Sequence, residues 1–153
     1  AFDNQVCNFN PAARAVQDRA REMGVDATRL LVQEQLEAGP EFLIGVTVDP
    51  IYGPAMTVRS GGGGVAGESA FHVLPLRQEE ALQIASAAAA GASIELSGAE
   101  LKELASVVER FAWLAEDLRD RILEIEANPI LITGGRAVAV DALAVAKAGT
   151  GEH

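Results

Sequence analysis

LEIEANPILITGGRAVAVDALA, from Leu123 to Ala144, decides how this chain is read. Two apolar runs flank Gly134 and Gly135, and a glycine pair between such runs marks a two-residue turn joining antiparallel strands. With that turn, Thr133 pairs with Arg136, Leu131 with Val138 and Asn128 with Asp141. Directly opposed residues on one face have Cβ atoms about 4.5–5.5 Å apart, so Asn128 and Asp141 share a face. Glu126 and Glu124 continue that row at the strand period, whereas Leu123 and Ile125 are expected to turn into a core. Oxygen-bearing side chains on an apolar hairpin either face water or hold something. A rigid row of carboxylates and an amide suits a hard cation, since Mg²⁺ typically takes one or two such ligands with phosphate and water. A solvated polar row satisfies the same spacing, and spacing alone leaves both readings open.

In EFLIGVTVD, Phe42, Ile44, Val46 and Val48 alternate with Leu43, Gly45, Thr47 and Asp49, the period of a strand with one buried face. DPIYGP (49–54) supplies a turn, and AMTVR (55–59) continues as a short strand into the glycine run Gly61–Gly64. RLLVQEQL (29–36) is also expected to be a strand. Asn10 and Pro11 open a first helix, since Asn caps free amides and Pro suits the first turn. Val16, Ala20 and Met23 mark one face of it, and Gly24 ends it. Strong helix formers predict a second helix from Arg77 to Ala90. Ser97 and Glu100 form a capping box for a third, along which Leu101, Leu104, Val108, Phe111, Ala115 and Leu118 make an apolar stripe. Trp113 is expected in the core beside that stripe. The order of helix, strands, two helices and hairpin predicts an α+β fold, an antiparallel sheet with helices on one side. Residues 1–146 are expected to form a single subdomain, followed by a flexible tail over 147–153.

The chain has 153 residues, 49% of them hydrophobic, which suffices for a core. Its 22 acidic and 12 basic residues give a net charge of −10, which argues against nucleic acid or an anionic membrane as partner. Cys7 is the only cysteine, so an internal disulfide and CxxC chemistry are excluded. No apolar stretch approaches the roughly 20 residues of a membrane span. AFDNQVCNFN at the start lacks the basic and then apolar pattern of a signal peptide and reads as a cut through a longer protein; a cytoplasmic setting is expected.

Taken together, VQEQLEAGPEFLIGVTVDPIYGP (32–54), the glycine loop, Pro75–Leu76, EIEANPILI (124–132) and AVDA (139–142) have a recognisable order and spacing. They resemble the second half of the ATP-grasp region of NDP-forming acyl-CoA synthetases, the relatives of acetate–CoA ligase and succinyl-CoA synthetase. The likeness covers the chain from about Thr28 to Ala142. It implies a nucleotide, ATP or ADP, held with Mg²⁺ between two subdomains, of which this chain is like the second. By that analogy Gln33, Glu34, Gln35 and Leu36 meet adenine, Glu41 accepts the ribose hydroxyls, and Gly63, Gly64 and Glu68 lie toward the phosphates. Asn128 and Asp141 fall on the family's metal positions and Glu126 on its nearby acidic position. The implied reaction is acid, CoA and ATP to acyl-CoA, ADP and phosphate, through a phosphohistidine on another part of the protein. Neither His72 nor His153 matches that histidine, and no residue of this chain is assigned as catalytic. The implied partners are an N-terminal ATP-grasp half bearing a phosphate-gripping lysine, and CoA-binding domains or a CoA-binding subunit.

RSGGGGVAGESAFHVLPL (59–76) departs most from that family. There a glycine pair is followed by a glutamate and then an aspartate, whereas here Glu68 is the only acid before Pro75. The arginine–glycine pair expected near Gly91 is also absent. Lys102 and Lys147, the only lysines, lie on no matching segment, so the isolated chain is expected not to turn over. Gly62, Gly64 and Gly67 spell GxGxxG, but Pro75 follows too soon for the helix a dinucleotide fold needs. The alternative is a synthetase-like module that keeps the fold without catalysis, of the kind attached to protein acetyltransferases, and a third reading is a structural domain whose acidic row is simply solvated.

Overall fold

The computed structural model describes residues 9–61 and 69–147. The chain divides into two compact units, 1–35 and 36–153. The first contains helix α1 (Phe9–Glu22). Gly24, at φ +73°, ends it as expected: Val25 N donates to Ala20 O at 2.9 Å and Gly24 N to Arg21 O at 3.0 Å, satisfying carbonyls that the helix leaves open. Asn10 lies inside α1 rather than at its cap. RLLVQEQL does not form a strand, and residues 30–40 carry no regular secondary structure.

The second unit runs β1 (Glu41–Asp49), β2 (Gly53–Ser60), β3 (Ala70–Val73), α2 (Gln78–Ala90), α3 (Gly98–Leu118), β4 (Ile122–Thr133), β5 (Arg136–Ala139) and β6 (Ala142–Ala146). The strands form one six-stranded antiparallel sheet in the order β3-β2-β1-β4-β5, with β6 also paired to β4. β3, a strand the sequence reading did not anticipate, pairs with β2 at the edge of the sheet. At the β1–β2 turn the Asp49 carboxylate accepts from the Ile51 and Tyr52 amides, each at 2.8 Å. These two bonds, Tyr52's first, hold its pKa below the ordinary carboxylate value.

Alternation decides which face is buried. Phe42, Ile44 and Val46 of β1, Met56 and Val58 of β2, and Ile125 and Ala127 of β4 form one core with Ala81, Ile84, Ala85 and Ala88 of α2 and Leu104, Val108 and Ala115 of α3. Fully burying each large apolar side chain stabilises the fold by about 1.5–3 kcal/mol. Both helices therefore cover the same face of the sheet. Their caps follow the sequence: Glu80 Oε2 accepts from Arg77 N at 2.7 Å, while Ser97 and Glu100 make the reciprocal capping box that opens α3. Leu101, Phe111 and Leu118 pack partly buried against the core, completing the expected stripe. Trp113, however, is 65% exposed. It points away from the stripe and borders a cleft with Pro75, Leu76 and Asp117.

The hairpin register is the one the glycine turn predicts. Thr133 faces Arg136 and Leu131 faces Val138, with Gly134 and Gly135 at positive φ. Leu123 departs from expectation: a register shift between Ile122 and Glu124 against β6 leaves it 46% exposed, while Ile125 is buried.

Candidate functional site

The face of the sheet opposite α2 and α3 carries the candidate residues. Strand alternation puts Glu41, Leu43, Gly45 and Thr47 of β1 on it. Cross-strand register adds Arg59, Thr57 and Ala55 from β2, Phe71 and Val73 from β3, and Glu126 and Glu124 from β4. Gly45 stands directly opposite Glu126. A β-carbon at Gly45 would lie 3.8 Å from Glu126 Oε2, an ordinary contact distance, so the Glu126 carboxylate lies beside the Gly45 position on this face.

Asn128 and Asp141 meet as counted from the turn, the Asn128 amide donating to the Asp141 carbonyl at 3.0 Å. Asn128 Nδ2 donates to Glu126 Oε1 at 3.2 Å, so its side-chain carbonyl oxygen is left to accept from, or ligate, something else. Asp141 Oδ1 accepts from Ala142 N at 2.8 Å, which fixes the carboxylate and leaves Oδ2. Three side chains thus present oxygens, two from β4 and one from the β5–β6 junction that faces it. Among the described residues no group of three His, Cys, Asp or Glu side chains is placed to hold a metal ion. A cation here would draw on the Asn128 amide, one or two carboxylates, and ligand oxygens, the donor set that Mg²⁺ accepts.

Glu41, half-buried, begins β1. Its carbonyl accepts from Gly61 N at 2.7 Å, and a β-carbon at Gly61 would come within 3.3 Å of Glu41 Cβ; the start of the glycine run thus packs on the glutamate. Four residues of β1, plus one strand spacing, separate the Cα atoms of Glu41 and Glu126 by about 14 Å. Gln33, Glu34 and Gln35 belong to the first compact unit and Leu36 opens the second. Gly63, Gly64 and Glu68 lie outside the described residues, as do the rest of the GxGxxG run, Cys7 and His153. His72 is half-buried, its Nε2 3.7 Å from Glu80 Oε2. Sequence reading did not single out Gly45 or Arg59, although counting back from the DPIYGP turn would have put Arg59 on this face.

An antiparallel sheet covered on one side by helices, with an acidic row on the other, is an α+β architecture. A family model described as an ATP-grasp domain matches residues 8–145, and the chain belongs to that family. It is 31% identical over 140 residues to the beta subunit of the ADP-forming acetate–CoA ligase I of Pyrococcus furiosus, and 29% identical over 143 residues to that of ligase II. Each match covers 86% of this chain and 60% of the relative, so the chain spans about three-fifths of the relatives' length. The dinucleotide-forming acetyl-coenzyme A synthetase 1 of Ca. Korarchaeum cryptofilum, solved with coenzyme A and Mg-AMPPCP, shares the fold at a TM-score of 0.64. That match is 22% identical and covers 88% of this chain and 64% of the other. No helix among the described residues is long and apolar enough to cross a membrane.

Proposed function

We propose that this chain is the nucleotide- and Mg²⁺-binding half of an ADP-forming acyl-CoA synthetase, working with an N-terminal ATP-grasp half and CoA-binding domains in a cytoplasmic assembly. The observation that carries the reading is the Glu126–Asn128–Asp141 arrangement, set on β4 and the β5–β6 junction beside it in a chain of the ATP-grasp family. Glu126 orients the Asn128 amide, and Asn128 and Asp141 then offer one oxygen each to the cation. Bound there, Mg²⁺ would neutralise charge on the phosphates. Glu41, about 14 Å along the sheet, accepts the ribose hydroxyls in charge-assisted bonds; the resemblance to the family, and not the geometry, assigns Gln33, Glu34, Gln35, Leu36, Gly63, Gly64 and Glu68 to the nucleotide as well. The chain supplies binding and orientation rather than a nucleophile, so alone it forms no acyl-CoA.

The test is calorimetric titration of ADP and ATP, with and without Mg²⁺, into the assembly of this chain with its N-terminal half. Mg²⁺-dependent binding that Asp141→Ala abolishes supports the reading. Absence of nucleotide binding in a folded assembly refutes it and leaves a scaffold whose acidic row is solvated. ATP-dependent acyl-CoA formation by the isolated chain would overturn its assignment as a non-catalytic half.

A further inference from the structure

We infer that Arg59 seats the phosphates of the nucleotide, an inference that rests on the nucleotide reading above. Arg59 is the only arginine or lysine on β1 to β4, and it stands on the helix-free face opposite Leu43. Along the strand axis Leu43 lies midway between Glu41 and Gly45, and Gly45 faces Glu126. A ligand laid from Glu41 to the Glu126 and Asn128 oxygens therefore passes Arg59. One strand spacing and one two-residue step separate the Arg59 and Glu41 Cα atoms, about 8 Å; two spacings and one step separate Arg59 from Glu126, about 12 Å. An arginine side chain reaches into the space between them.

The chemistry of the position points the same way. Arg59 is half-buried, and among the described residues it enters no ion pair, although Glu41 lies on its diagonal. A partly desolvated guanidinium without a carboxylate partner is unfavourable unless an anion completes it. Its planar fork of donors matches phosphate oxygens two at a time. The surrounding face otherwise carries the acids Glu41, Asp49, Glu124, Glu126 and Asp141, which would repel a polyphosphate unless a cation such as Arg59 and a bound metal offset them.

Adenosine, ADP and ATP, each with Mg²⁺, are titrated into the assembly carrying wild-type Arg59, Arg59→Gln or Arg59→Lys, with thermal midpoints recorded alongside. Arg59→Gln is expected to weaken ADP and ATP by about tenfold or more, the scale of one charge-assisted bond. Adenosine affinity and the midpoint stay unchanged, and Arg59→Lys recovers part of the loss. If ADP and ATP bind Arg59→Gln as tightly as wild type, the inference fails while the nucleotide reading stands. An equal loss for adenosine also overturns it, since Arg59 would then act on the base, the ribose or the fold. If wild type binds none of the three, both the inference and the reading fall.

Discussion

Gly39→Ala is the substitution whose cost can be worked out most directly. Gly39 and Pro40 lead into Glu41, and Ile132 N of β4 donates to Pro40 O at 2.9 Å. A methyl at Gly39 would run into the carbonyl oxygen of Ile132, a backbone atom on an interior strand that cannot swing aside. Overpacking of this kind costs about 1–3 kcal/mol, and losing the Ile132–Pro40 bond costs about 0.5–1.5 kcal/mol more. Alanine also restricts the unfolded chain, which offsets about 0.4–1 kcal/mol. The net loss is centred near 2 kcal/mol, equivalent to a fall in Tm of about 4–8 °C for a chain of this size. Scanning calorimetry on wild type and variant measures it. Gly98→Ala serves as the control, because nothing lies within 4 Å of the added methyl; its midpoint should move little. A Gly39→Ala midpoint equal to or above wild type would refute the close approach of the 39–40 segment to β4.

Leu104→Ala, at a side chain 0% exposed, should cost about 2–5 kcal/mol in urea unfolding. Trp113→Ala, by contrast, should stay within about 0.5 kcal/mol, and the reverse ranking would place Trp113 in the core after all. Glu100 is held below its ordinary pKa of 4.5 by the Ser97 hydroxyl first and the Ser97 amide second. A depressed folded pKa means that its contribution is complete above pH 4.5 and disappears as pH falls through the lower folded value. Glu100→Gln should therefore flatten the acid limb of the stability profile below pH 4.5, and an unchanged limb would show that the capping box is not formed in solution. Removing the cap itself with Ser97→Ala should lower stability by about 1 kcal/mol at neutral pH, read from the urea midpoint.

Local chemistry made some elements legible. The register of β4 against its return strand follows from Gly134 and Gly135 alone, because a two-residue turn leaves no freedom in the count, and so Asn128 and Asp141 could be paired without a structure. Caps at Gly24 and Ser97 are equally local. RLLVQEQL failed because an apolar, strand-like run does not supply its own ladder partner, which is a tertiary fact. AFHV was missed for the opposite reason, being only four residues long and adjoining the glycine run. The exposure of Trp113 was available in principle. It lies five residues beyond Val108, about 140° around the helix from the stripe. Leu123 could not have been foreseen, since its exposure follows from an irregularity in how β4 meets β6. The face that joins Arg59 to Glu126 was hidden because it needs two registers at once, one from each side of β1.

β4 is paired along one edge by β1 and along the other by β5 and then β6. Its amides should consequently be among the slowest in the chain to exchange with deuterated water, opening only when the whole sheet does. Glu126 and Asn128 sit on that strand and inherit its immobility. Whatever ligand they receive meets side chains whose backbone was ordered during folding, so little of its binding free energy is spent on arranging them.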